Sequence, residues 1–157
     1  NTHRLYRGDP LQPREVVSPD AITALGKIGL AVDAPEQERR IRFAEWLTRR
    51  DNPLTARVMA NRVWHYLFGT GLVDTPSDFG INGGVPSNPA LLDWLADELV
   101  RGGWSLKRLQ RTILLSDAFR QSSVPRAEAL DVDAEARLLW RFPPRRRPPT
   151  ARKAARD

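Results

Sequence analysis

Cysteine is absent from all 157 residues. That excludes disulfides, thiolate zinc sites, haem attachment through thiols and cysteine nucleophiles, and it leaves the redox compartment open. Histidine is scarce: His3 and His65 are the only two, and neither has a second His or Cys at ligand spacing. A transition-metal site is therefore not expected, and nothing in the pattern asks for a cofactor. No apolar run approaches the roughly 20 residues needed to cross a bilayer. The chain opens at Asn1, not Met, with no signal-like segment after it. That start reads as a fragment boundary or a processed end.

What is present suits one domain with a real core: 41% apolar residues and five Trp. The formal charge of +6 suggests nucleic acid until it is located. Residues 141–157 hold seven of the 25 basic and one of the 19 acidic side chains, leaving 18 of each in residues 1–140. The body is neutral, and the excess belongs to a Pro- and Arg-rich end. Residues 143–157 have almost no apolar content and read as a disordered basic tail that could contact anionic surfaces.

Residues 1–35 read as an irregular segment punctuated by Gly8-Asp9-Pro10, Gln12-Pro13 and Ser18-Pro19, with a short strand conceivable at Arg4-Leu5-Tyr6-Arg7. A first helix is expected over residues 36–50. Ile41, Ala44 and Leu47 form its stripe, widened by Phe43 and Trp46, and Glu38–Arg42 and Glu45–Arg49 are favourable pairs. Asp51-Asn52-Pro53 stops it and starts a second, over 53–68, with Asn52 as cap. Ala56, Ala60, Val63, Trp64 and Leu67 repeat at helical spacing, and Gly69 ends the helix in a left-handed conformation.

A loop follows from Gly69 to Asn88 with five glycines. Loops of that length inside compact domains are usually functional or mobile. Leu72, Val73, Phe79 and Ile81 offer it apolar anchors, so an ordered loop is expected. Ser87-Asn88-Pro89 begins a third helix with Leu91, Leu92, Leu95, Ala96 and Leu99 inward, and Gly102-Gly103 closes it. Ser105 caps a fourth, over 106–120, with Leu106, Leu109, Ile113 and Leu114 inward. A short fifth helix is expected over 134–142. The expected fold is a small, mainly α-helical domain of four to five helices with a long ordered Gly-rich loop. Its boundaries are 1–35 irregular, 36–142 helical and 143–157 tail.

The candidate ligand-binding residues are Asn61, Arg62, Asp78, Arg120 and Gln121. They either converge as a polar pocket beneath the loop or form a structural network with Arg62 paired to Asp78. Asp74, Asp78 and Asn82 are the densest oxygen cluster in the loop. A Ca²⁺ site wants about six to eight oxygen ligands and a different spacing. Capping of local N–H groups by Asp78 beside Gly80 is the simpler reading. No serine sits on a nucleophile elbow. Helices three and four have the outline of a helix-turn-helix with Lys107, Arg108 and Arg111 on the second. Three basic residues on a neutral body make an ordinary helical hairpin the better reading, and the body is not expected to bind DNA.

Several of these segments together resemble a known family. They are Ala44-Glu45-Trp46-Leu47, Asn52-Pro53-Leu54-Thr55-Ala56-Arg57-Val58 and Asn61-Arg62-Val63-Trp64. Phe68-Gly69-Thr70-Gly71-Leu72-Val73, Pro76-Ser77-Asp78-Phe79-Gly80 and Pro86-Ser87-Asn88-Pro89 follow in order. Leu91-Leu92-Asp93-Trp94-Leu95, Gly103-Trp104-Ser105, Lys107-Arg108-Leu109, Phe119-Arg120-Gln121-Ser122 and Leu138-Leu139-Trp140-Arg141 complete the set. The chain resembles the domain of unknown function 1553, the planctomycete-specific domain, over roughly residues 40–145. The resemblance implies a C-terminal part of a large exported or surface protein, periplasmic or cell-surface, often beside a cytochrome c module. It implies no reaction and no catalytic residue. The sequence departs from the family pattern at Asn88, where His is usual, and at Phe119, where Tyr is usual. It departs again after Arg146, where a further helix is usual. The Arg/Pro/Ala composition from Arg147 onward reads as an out-of-frame or truncated end.

Overall fold

Arg7 and Gly8 take φ values of 50° and 82°, the two left-handed conformations that a tight two-residue hairpin turn demands. They join β1 (Thr2–Tyr6) to β2 (Asp9–Val17) in an antiparallel ribbon. Thr2 faces Val17, His3 faces Val16, Leu5 faces Pro13 and Tyr6 faces Asp9, with register shifts on either side of Leu5. The expected irregular segment thus begins with a hairpin. Pro10 and Pro13 mask it in the sequence, because they break the alternation by which a strand is recognised. The computed structural model describes residues 2–142. The expected disorder of residues 143–157 lies outside the described residues.

The chain divides into two compact units, Asn1–Thr55 and Ala56–Asp157. In the first, α1 (Glu36–Leu47) ends three residues earlier than expected. Thr48 bonds its hydroxyl back to the Ala44 carbonyl at 2.9 Å and closes the last turn. Of the expected stripe only Trp46 is buried, its indole N–H donating to the Gly26 carbonyl at 3.0 Å. Ile41 and Phe43 are exposed. The ion pairs of α1 also differ from expectation. Glu36–Arg40 closes at 2.6 Å and Arg42–Glu45 at 3.3 Å, both on the solvent face. Asn52 caps the start of α2 (Thr55–Phe68), its Oδ1 accepting from the Leu54 N–H at 3.0 Å.

The second unit carries the core. Ala60, Val63, Trp64 and Phe68 from α2 pack with Leu92, Leu95 and Leu99 from α3 (Pro89–Arg101) and Leu109 and Ile113 from α4 (Leu106–Leu114). Gly69 ends α2 at φ 93°, as expected. Asn88 caps α3 by accepting from the Leu91 N–H at 3.0 Å. At the other end, Gly103 N–H donates to the Val100 carbonyl and Trp104 N–H to the Leu99 carbonyl. With Gly103 at φ 65° this is a Schellman closure. Ser105 caps α4 by accepting from the Arg108 N–H at 3.3 Å.

Two helical expectations are corrected. The fourth helix does not run to residue 120. Ser116 gives its hydroxyl proton to the Ile113 carbonyl and accepts from the Phe119 N–H, which ends α4 and starts the short α5 (Asp117–Arg120). Leu106 and Leu114 are exposed. The fifth helix does not form over 134–142; a single turn, α6 (Ala127–Leu130), lies upstream instead. Asp133 takes the N–H groups of Arg137 and Leu138 onto its carboxylate. Ala136 and Leu139 sit at φ 53° and 57°. A side chain that captures two backbone donors competes with the helical ladder. The fold class is mainly α, and the ribbon is the one sheet among the described residues.

Candidate functional site

The loop after α2 is tied down from below by one side chain. Asn61, fully buried on α2, donates from Nδ2 to the Val73 carbonyl at 3.0 Å and accepts the Val73 N–H on Oδ1 at 2.9 Å. Leu72 and Val73 are buried with it, and the Ser87 N–H returns to the Leu72 carbonyl at 2.8 Å. Farther out, Thr75 donates to the Asp78 carbonyl and accepts the Gly84 N–H, both at 2.8 Å. Phe79 packs against the core, whereas Ile81, expected as an anchor, is fully exposed.

The five candidate residues are not brought together. Asn61 is occupied by Val73. Asp78 is exposed and accepts the Gly80 N–H at 2.8 Å, the expected Asx turn. Arg120 is exposed and paired with Asp117 at 2.8 Å. Gln121 donates to the Leu139 carbonyl at 2.7 Å. Arg62 is exposed and forms no ion pair with Asp78. Four of the five thus hold backbone or another side chain, and among the described residues no hydrogen bond or ion pair joins any two of the five.

A cavity of about 160 Å³ does open under the first half of the loop. Trp64 and Phe68, stacked at 4.2 Å between ring centroids, form its floor. Thr70, Gly71, Leu72 and Ser87 form one wall, and Glu135, Ala136, Arg137 and Leu139 the other. Asp74 bridges them at the rim, 3.5 Å from the Arg137 guanidinium. The Thr70 and Ser87 hydroxyls, the Glu135 carboxylate and the Trp64 indole N–H bond to no other described residue. Donors and acceptors therefore line an apolar floor. The volume is that of about five liquid water molecules, below the roughly 300 Å³ at which drug-sized pockets begin. Neither histidine lines the space. The arrangement suits holding a small hydrogen-bonding group. Sequence reasoning missed this wall because Glu135 and Arg137 stand some 60 residues from Asp74, in a segment expected to be helical.

α2 and α3 are joined by Arg57 and Asp93 at 2.6 Å. The hydrogen bond from the Arg57 guanidinium holds the Asp93 carboxyl below the usual carboxylate range, against a smaller opposing effect of burial. Among the described residues no group of three or more His, Asp or Glu side chains is close enough to hold a metal ion. No described helix is long and apolar enough to cross a membrane.

With the Asn61 clamp, the Asx turn and the capped helices in view, residues 39–152 match the model of PSD1, described as a protein of unknown function (DUF1553). The chain belongs to this family. No curated protein and no solved structure matches it. The PSD1 match ends at residue 152, six residues past Arg146, where family-like sequence was expected to stop. It takes in most of α1 and all of α2 through α6, and leaves out the β1–β2 ribbon.

Proposed function

We propose that this PSD1 chain is a non-catalytic structural or interaction module of a larger exported bacterial protein of planctomycete type. Its partners are neighbouring domains of the same polypeptide. One observation carries the reading. The unit Asn1–Thr55 buries only Ala34 and Trp46 among its apolar side chains. It exposes eight large ones: Leu5, Tyr6, Leu11, Val16, Ile22, Val32, Ile41 and Phe43. Scattered apolar exposure is ordinary, but a unit with almost no core cannot offset its own ordering entropy. Ile22, Leu25, Phe43, Trp46 and Leu47 line a single open groove in that unit, so part of this surface is contiguous. Export and the multidomain setting come from the family resemblance.

The reading is tested by comparing this chain with the full polypeptide its gene encodes. An apolar dye should bind the chain alone and not the full polypeptide. Amide exchange over residues 18–50 should slow by roughly tenfold or more when the other domains are present. Equal exchange and equal dye binding in both would remove the proposal.

A second reading is favoured by the cavity alone: a part of an enzyme, redox or carbohydrate-related, whose site is completed by other domains. It expects Glu135→Gln or Ser87→Ala to abolish a reaction of the full polypeptide without altering its unfolding midpoint.

A further inference from the structure

The chain has five asparagines, and the residue after each sets them apart chemically. The side-chain amide carbon of an asparagine is open to attack by the backbone nitrogen of the next residue. Asn52 and Asn88 precede Pro53 and Pro89, whose nitrogens carry no N–H and cannot attack. Asn61 is buried within α2, its amide held by Val73. Asn1 precedes Thr2, whose β-branched side chain crowds its own nitrogen. Asn82 alone precedes a glycine, and Gly83 has no side chain to hinder the approach. Asn82 is exposed next to the fully exposed Ile81, and its amide bonds to no described residue.

The turn around Asn82 restrains the nitrogen that would attack. The Gly83 N–H donates to the Gly80 carbonyl at 3.0 Å. The Gly84 N–H donates to the Thr75 hydroxyl, which itself donates to the Asp78 carbonyl, both at 2.8 Å. The backbone has no slack here. A Cβ at Gly83 would overlap the Asp78 carbonyl oxygen, and one at Gly84 would overlap the Asp74 carboxylate.

We propose that Asn82 is a self-modification site, and that closure of this turn sets its rate. Opening the turn frees the Gly83 nitrogen. That nitrogen gives up its proton and bonds to the Asn82 Cγ; the Cγ–Nδ2 bond breaks, and ammonia leaves carrying a proton in exchange. The resulting cyclic imide takes up one water molecule. Opening at one carbonyl leaves an aspartyl residue, and opening at the other an isoaspartyl residue, whose main chain is one carbon longer. The longer chain has no room where Gly83 meets Asp78, so the turn does not close again. Either product adds a carboxylate to a loop that already carries Asp74 and Asp78. The Asn61–Val73 clamp at the base of the loop uses none of these groups and stays shut.

The test incubates the chain in mildly alkaline buffer, folded and in concentrated urea, and follows amide-to-acid conversion by peptide mass spectrometry. Enzymatic methylation of isoaspartyl carboxylates marks the longer product. Conversion in the folded chain should be confined to position 82 and run slower than in urea by roughly tenfold or more, as a locally closed turn requires. Thr75→Val removes the hydroxyl that ties Gly84 to Asp78, and should speed conversion of the folded chain by roughly fivefold, the gain in open fraction from one net hydrogen bond lost. Tryptophan fluorescence confirms that this variant is folded, and Asn82→Gln should abolish the methylation signal. In the separated isoaspartyl protein the Gly84 amide should exchange faster while that of Val73 does not. Equal rates in the folded chain and in urea, or the parent rate in folded Thr75→Val, would show that the turn does not set the rate. No conversion at position 82 in the folded chain while the urea sample converts would show that the native loop seals the residue, and the proposal would fall. Unchanged Gly84 exchange in the isoaspartyl protein would overturn the opening of the loop.

Discussion

The Asn61 side-chain amide pairs with the backbone of Val73 as a neighbouring strand would, giving one hydrogen bond and taking one. Both partners are buried, so the pair is sheltered from water competition. It holds the start of a 20-residue loop against α2 with a single side chain. Removing it by Asn61→Ala leaves the Val73 N–H and C=O buried without partners. Each orphaned group costs about 1–3 kcal/mol, so the expected loss is about 2–6 kcal/mol. Urea unfolding followed by tryptophan fluorescence measures it, and an unchanged midpoint would show that the loop does not depend on the clamp.

Gly71 sits where that clamp closes. A Cβ there would lie 2.3 Å from the Val73 carbonyl oxygen and 2.8 Å from both polar atoms of the Asn61 amide. The nearest obstacle is backbone, which cannot rotate aside. Gly71→Ala should therefore destabilise by about 1–3 kcal/mol, as overpacking does. Its effect should not add to that of Asn61→Ala, since both break the same contact. A double-mutant cycle by thermal unfolding checks this; full additivity would separate the two residues.

Trp64 is 4% exposed, stacked on Phe68, and sits on the α2 face that also carries Ala56 and Ala60. Trp64→Ala should cost about 3–5 kcal/mol. A soluble, cooperatively folding Trp64→Ala protein with the parent melting midpoint would contradict the core assignment.

Much of this was legible because it is written locally. Asn52, Asn88 and Ser105 cap the helices they precede, and Gly69 and Gly103 end them at positive φ, because short polar side chains and glycine act on their immediate neighbours. The Asx turn of Asp78 and Gly80 belongs to the same class. What the sequence concealed is where a local competitor or a distant partner decides. Ser116 looks tolerable in a helix, yet it captures a backbone donor and ends α4, and Asp133 captures two where the expected fifth helix does not form. Ile41 and Phe43 have helical spacing, but spacing does not say whether anything covers them. Asn61 stands out in the sequence as a polar site candidate and Val73 as an apolar anchor of the loop. Nothing in the one-dimensional pattern pairs them, just as nothing brings Glu135 and Arg137 to the cavity wall.

The Arg57–Asp93 pair gives a pH signature for the α2–α3 junction. Asp93 is held below the usual carboxylate range when folded, mainly by its hydrogen bond from Arg57. A depressed folded pKa means that the stabilisation is fully present above the unfolded value of about 3.9. It is lost as pH falls through the folded value. Both groups are partly exposed, so solvent screening keeps the contribution within about 1 kcal/mol. Asp93→Asn should therefore lower stability slightly at pH 7, and the difference from the parent should shrink towards zero as pH is taken from 5 to below the folded pKa. Parallel urea titrations over that acid range make the comparison, with added salt reducing the neutral-pH difference. A gap between the two proteins that stays constant through the acid range would mean that Asp93 acts there through packing and not through its charge.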